Sequence, residues 1–198
     1  MSERMVFVAP EEQARANFYA LLARLFYAPP DEGLLKALAS ADELAAEDET
    51  LAARWRELVA AAAVTEAEAV REEYDAVFVG TGKAPVTLYS TAYSLRYTNE
   101  TPLAALRADL AALGLARRES AGEPEDHIAG LCDTMRHVIA EQQRPLEEQR
   151  RFYERWIKPN YEPLCAAIEA SERTSFYKVV GRIAKAFFSL EQGAFEML

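Results

Sequence analysis

Residues 11–30 read "EEQARANFYALLARLFYAPP", and this stretch decides the fold class. Phe18, Leu21, Leu22, Leu25 and Phe26 recur at spacings of three and four, which lines one face of an α-helix, and Pro29 and Pro30 stop the pattern. The same period runs outward over nearly the whole chain. Asp31 is placed to cap a short helix whose apolar stripe is Leu34, Leu35 and Leu38. Helices are expected over roughly 48–64 and 65–79, the second opened by Thr65 with acids at 66 and 68. Another should begin at Asn99-Glu100-Thr101-Pro102, carry Leu103, Leu106, Leu110 and Leu113, and stop at Gly114. Three more are expected over roughly 124–143, 146–170 and 174–192. With no strand pair and no internal repeat, the expected class is all-α, a single compact helical bundle spanning residues 1–198.

Two stretches interrupt the period. "GTGKAPVTLYSTAYS", residues 80–94, is the body of an irregular loop taken as 80–98, longer than a mere connection requires. Residues 114–123 form a polar linker or hinge.

Composition narrows the function. The chain has 198 residues, 51% of them hydrophobic, enough for one domain to bury about 70% of the surface that its unfolded form exposes. Lys and Arg number 22 against 32 Asp and Glu, a net charge of −10, and no basic run offsets it. That balance argues against nucleic acid, whose non-specific binding needs basic residues, and favours cationic partners such as basic peptides. The start, "MSERMVFVAPEEQARANF", lacks the apolar core of a signal peptide, and the longest apolar run, Leu58 to Val64, has seven residues. A bilayer span needs about 20, so no stable membrane insertion is expected. Cys132 and Cys165 form no CxxC and no disulfide framework, which points to the cytosol with both thiols reduced.

Tests for intrinsic chemistry fail. His127 and His137 lie ten residues apart, roughly 80° off one helical face, and the residues three before them are Pro124 and Thr134 rather than glutamates. No metal, cofactor or catalytic residue is therefore expected. Gly80-Thr81-Gly82-Lys83 invites a phosphate-loop reading, but Val77 and Ala84 stand where a P-loop needs glycine and Ser or Thr. A small nucleotide hydrolase built on Gly80 to Lys83 stays open as an alternative, as does an acidic helical subunit of a larger assembly.

"EPEDHIAGLCDTM", residues 123–135, reads as a helix opening. Pro124 suits a first turn, Glu123, Glu125 and Asp126 complement the positive end of the dipole, and Ile128, Leu131, Cys132, Met135 and Ile139 form a buried stripe. Helix formation does not require His127. Beside Asp126 at an exposed helix start, it suits contact with a polar or cationic ligand.

These residues resemble the TorD/DmsD-type chaperones of molybdoenzyme maturation. Glu123-Pro124-Glu125-Asp126-His127, with Leu131 and Met135, matches the E-P-x-D-H segment of that family. Upstream, "REEYDAVFVGTGKAP" supplies Tyr74, Phe78, Gly80, Gly82 and Pro85 at the family's places, with Val77 for the usual leucine, and Tyr89 and Tyr93 echo its loop aromatics. Trp156 to Tyr161 departs from the family pattern. The resemblance implies a TorD-like all-α fold, monomeric or homodimeric, with helix exchange between protomers hinged at 114–123. It also implies a cytoplasmic, non-catalytic chaperone that binds the twin-arginine leader of a molybdopterin-dependent oxidoreductase subunit and delays export until the cofactor is inserted. On that reading Asp126 accepts from a leader arginine, and His127 adds a polar contact and senses pH. Glu123 either contacts the peptide or caps the helix. Tyr89, Tyr93 and Pro85 would flank the apolar portion of the leader. Tyr74, Phe78, Trp55, Trp156, Met135 and Met197 are read as core.

Overall fold

A computed structural model describes residues 8–45, 48–80, 84–94, 102–117 and 122–198. Its elements are α1 (Pro10–Tyr27), α2 (Glu32–Ala39), α3 (Glu49–Val64), α4 (Ala67–Tyr74), α5 (Thr91–Ser94), α6 (Pro102–Ala112), α7 (Ile128–Arg136), α8 (Leu146–Trp156), α9 (Lys158–Ala170) and α10 (Phe176–Glu196). A π-helical turn extends α4 over Asp75–Val79, and another extends α7 over His137–Glu141. The fold is all-α; among the described residues the only β pairing is an isolated antiparallel bridge between Tyr89 and His127.

Local chemistry explains most boundaries. Pro10 opens α1, and Asp31 and Asp48 cap α2 and α3 by accepting from the amides of Leu34 at 2.8 Å and Leu51 at 2.7 Å, each such cap stabilising by about 0.5–2 kcal/mol. Four boundaries depart from the sequence expectation. Thr65 does not open α4; its hydroxyl turns back to the Ala61 carbonyl at 2.6 Å, and Glu66 takes the N-cap position. The expected 146–170 helix breaks at Ile157, because Pro159 has no amide to offer the preceding turn. A one-turn helix, α5, sits inside the expected irregular loop. Helix α7 starts at Ile128 rather than 124, for a reason that belongs to the site.

α10 is the central element. It packs on α3, α9 and α4, and buries Phe176, Tyr177, Val180, Ile183, Phe187, Phe188 and Phe195. Each such side chain, fully buried, is worth about 1.5–3 kcal/mol of transfer free energy. A Cβ on Gly181 would lie 3.0 Å from the Ile168 side chain, so α9 and α10 meet closely where the chain carries a glycine. α1 lies along α7; of the expected stripe Leu22, Leu25 and Phe26 are buried while Phe18 and Leu21 are only partly so, and Tyr19 is buried in addition. The buried apolar residues form one connected cluster that includes Tyr74, Trp156 and Met135, with Phe78 and Trp55 packed against it. Met197 is not core: it is 84% exposed just past the end of α10.

Most polar groups inside this core are paired; among the described residues Glu57 Oε2 and Ser90 Oγ are buried without a hydrogen-bond partner. Arg15 of α1 donates to both carboxylate oxygens of Glu191 in α10, at 2.7 and 2.8 Å, and to Gln149 of α8 at 2.9 Å; Tyr19 adds its hydroxyl to Glu191 at 2.9 Å. Glu73 of α4 accepts from the amides of Ser175, Phe176 and Tyr177 at the start of α10, at 2.9, 3.0 and 2.7 Å. Those amides open a helix whose own N-cap residue makes no side-chain cap, so the carboxylate supplies what the local sequence does not.

Candidate functional site

The site is built by the chain that follows the first π turn. Gly80 has φ 61° and ψ 163°, a conformation that needs glycine, and lies where the chain leaves that turn. From Val86 the chain runs extended, burying Val86, Leu88 and Ser90 while Thr87 and Tyr89 face outward. This strap pairs with the E-P-x-D-H segment: Ile128 N donates to the Leu88 carbonyl at 2.8 Å and Ser90 N to the Asp126 carbonyl at 2.9 Å. Pro124 to His127 close a turn, His127 N donating to the Pro124 carbonyl at 3.2 Å, and the pairing holds His127 itself extended, so the helix begins at Ile128. His127 becomes its N-cap, and Nδ1 accepts from the Ala129 amide at 3.2 Å.

Asp126 and His127 are therefore not at an exposed helix start. They are 5% and 4% exposed. The Asp126 carboxylate accepts from the Thr91 hydroxyl, which ties it to the strap. Burial lowers the pKa of His127 below its ordinary value, with Glu123 and Asp126 pulling the other way. The Tyr89 ring stands edge-to-face to the imidazole, centroids 5.5 Å apart, and its hydroxyl donates to Glu123 at 2.5 Å. That hydrogen bond, with burial second, raises the Tyr89 hydroxyl to about 12.

Beneath this cluster lies a groove of about 770 Å³ between α1, α7 and the corner at Leu110–Arg117. Small residues, Ala20, Ala23, Ala129 and Gly130, keep it open, and Leu110, Leu115 and Tyr27 add apolar surface. Most charges on its rim are already paired. Glu125 holds Arg107 at 2.9 Å, which places the carboxyl below its usual range; Arg136 bridges Asp133 and Glu141, both at 2.7 Å; and His137 meets Glu141 at 2.8 Å. Glu123 differs: its carboxylate accepts from Tyr89 and has no cation in ion-pair range among the described residues.

Of the six residues picked from sequence, the structure gathers Tyr89, Glu123, Asp126 and His127 into one cluster, and only Glu123 and His127 border the groove. Tyr93 turns inward, its hydroxyl donating to the Thr87 carbonyl at 2.8 Å, and burial raises it to about 12. Pro85 is exposed near the start of the strap. Sequence reading missed the α1 wall, Ala20, Ala23, Arg24 and Tyr27; the available signal was two alanines three apart just off the apolar stripe. Thr81, Gly82 and Lys83 of the phosphate-loop reading lie outside the described residues, as do parts of the 80–98 loop and of the 114–123 linker. Cys132 and Cys165 are buried and unbonded, and burial pushes both thiols up, Cys165 to about 12, which removes them as nucleophiles. Among the described residues no cluster of His, Cys, Asp and Glu could hold a metal ion, and no helix is long and apolar enough to cross a membrane.

Comparison with known proteins yields two findings. The sequence profile of the nitrate reductase delta subunit family matches residues 42–166. The fold is similar to the crystal structure of a candidate redox enzyme maturation protein from Archaeoglobus fulgidus, with TM-score 0.56 and 17% identity over 96% of this chain and 98% of that one. No curated protein matches the chain.

Proposed function

We propose that this chain, which belongs to the nitrate reductase delta subunit family and with it to the TorD/DmsD-type molybdoenzyme maturation chaperones, binds the twin-arginine leader of its client subunit in the groove below His127. It is a maturation chaperone and not a catalyst. In this reading it acts in the cytoplasm and holds the client back from export until the molybdopterin cofactor is in place.

The observation that most supports leader binding is Glu123. It is the acid on the groove wall whose carboxylate forms no ion pair among the described residues, and a phenol hydroxyl occupies it meanwhile. A guanidinium arriving there would exchange a neutral donor for a charge-assisted one. The apolar stretch that follows the arginines in such a leader would lie along Ala20, Ala23, Leu110 and Leu115. Asp126 then acts as a positioning residue that fixes the strap through Thr91, and Tyr89 borders the arginine. Tyr93 shapes the loop, and Pro85 directly precedes the strap.

Calorimetry of the full chain with a synthetic twin-arginine leader tests this. Glu123→Gln should weaken binding by about 1.5–3 kcal/mol, the worth of a hydrogen bond to a charged group. Unchanged affinity would remove Glu123 from the site.

A further inference from the structure

The leader arginines account for Glu123 but leave His127 without a task. Its Nδ1 is occupied as the acceptor for the Ala129 amide, 3.2 Å away. A nitrogen that accepts carries no proton, so the proton of the uncharged ring sits on Nε2. Burial favours that uncharged ring by lowering the imidazole pKa. Nε2 has no protein partner among the described residues, yet it is not among their sealed, unpartnered buried atoms, which are Glu57 Oε2 and Ser90 Oγ. His127 is buried and lines the groove, which is the cavity that an Nε2 not sealed off by protein can reach.

We propose that His127 is a fixed hydrogen-bond donor of the groove, its Nε2–H taking a main-chain carbonyl of the segment that binds there. This rests on the reading that the groove is the leader site. The acceptor is a neutral carbonyl because Glu123 and Asp126 both act on the imidazole electrostatically, and their negative charge disfavours a carboxylate or phosphate at the same place. Glu123 on the same wall supplies an acceptor, so the groove offers one group for a cationic side chain and one for the backbone. A donor that reads the main chain tolerates sequence variation, while the acid keeps the demand for a cation. The Tyr89 strap holds the ring against rotation, and the Ala129 amide fixes which nitrogen bears the proton.

The chain has two histidines, which makes the test direct. Long-range proton–nitrogen spectra of full-length protein labelled at histidine nitrogen, assigned with His137→Gln, should show His127 protonated at Nε2 and bare at Nδ1 at pH 7.5. Adding the synthetic leader should shift Nε2 and its proton and leave Nδ1 nearly unmoved. In calorimetry, His127→Asn keeps a capping oxygen but cannot reach the groove, and should lose about tenfold in affinity with little change in the unfolding midpoint. A proton on Nδ1 would overturn the proposal, and so would a leader that binds wild type and His127→Asn equally well. A leader that fails to bind wild type at all would instead overturn the leader reading, and this proposal with it.

Discussion

At the residue scale, His127 caps α7 through Nδ1 and is buried on the wall of the groove, and this burial fixes its response to pH. The folded protein holds the ring's pKa below the ordinary value of 6.5, so as pH falls past that value the unfolded chain takes up protons that the folded one resists. The contribution of His127 to stability is complete above that pH and is lost as pH drops through the folded pKa; Glu123 and Asp126, the charged groups acting on the ring, moderate the loss. Urea midpoints measured at pH 7.5 and pH 5.5 should fall further for wild type than for His127→Asn. Asp126→Ala removes the Thr91 tie and should cost about 1–3 kcal/mol of stability by the same denaturation, as for a buried hydrogen bond to a charged group. The E-P-x-D-H motif was legible in sequence, but the direction each acid faces was not. Helical periodicity placed Asp126 on an open end; strap pairing from residues 86–91 turned it inward and left Glu123 at the groove.

At the element scale, α1 and α2 were readable because an apolar stripe agrees with a local signal, the stop at Pro29-Pro30 for α1 and the Asp31 cap for α2. The readings failed where a distant segment overrode local pattern. α7 starts late because the strap claims the residues before it, and α10 starts where it does because Glu73, about a hundred residues upstream, accepts from its first amides. In the sequence Glu73 is one of two adjacent glutamates and looks solvated. Glu73→Ala should lower stability by about 1.5–3 kcal/mol in urea unfolding. Native-state hydrogen exchange at Phe176 and Tyr177 should speed up in the same variant, while amides at the middle of α10 change only with global stability. Unchanged exchange at these two amides would mean that the helix start is held by something else.

At the scale of the whole molecule, the net charge of −10 and the groove belong together. Most rim charges form internal pairs, so on the proposed leader-binding reading the excess negative field would act mainly on encounter and Glu123 on the docked complex. Association with a cationic leader should slow as salt rises from about 0.05 to 0.5 M, over which range the screening length falls from above 10 Å to below 5 Å. Dissociation should change less, a contrast that stopped-flow fluorescence can read. The groove persists because α1 is anchored away from it: Arg15 binds Glu191 and Gln149, and Arg15→Ala leaves a 3%-exposed carboxylate without its cation. That variant should lose about 3–5 kcal/mol, as broken buried pairs do. The central claim, recognition of a leader arginine by Glu123 on the groove wall, is tested most directly by titrating the full chain with a twin-arginine leader and with the same leader carrying glutamine at both arginines. The account predicts that the substituted leader binds at least about tenfold more weakly. Equal affinity for the two leaders would contradict it.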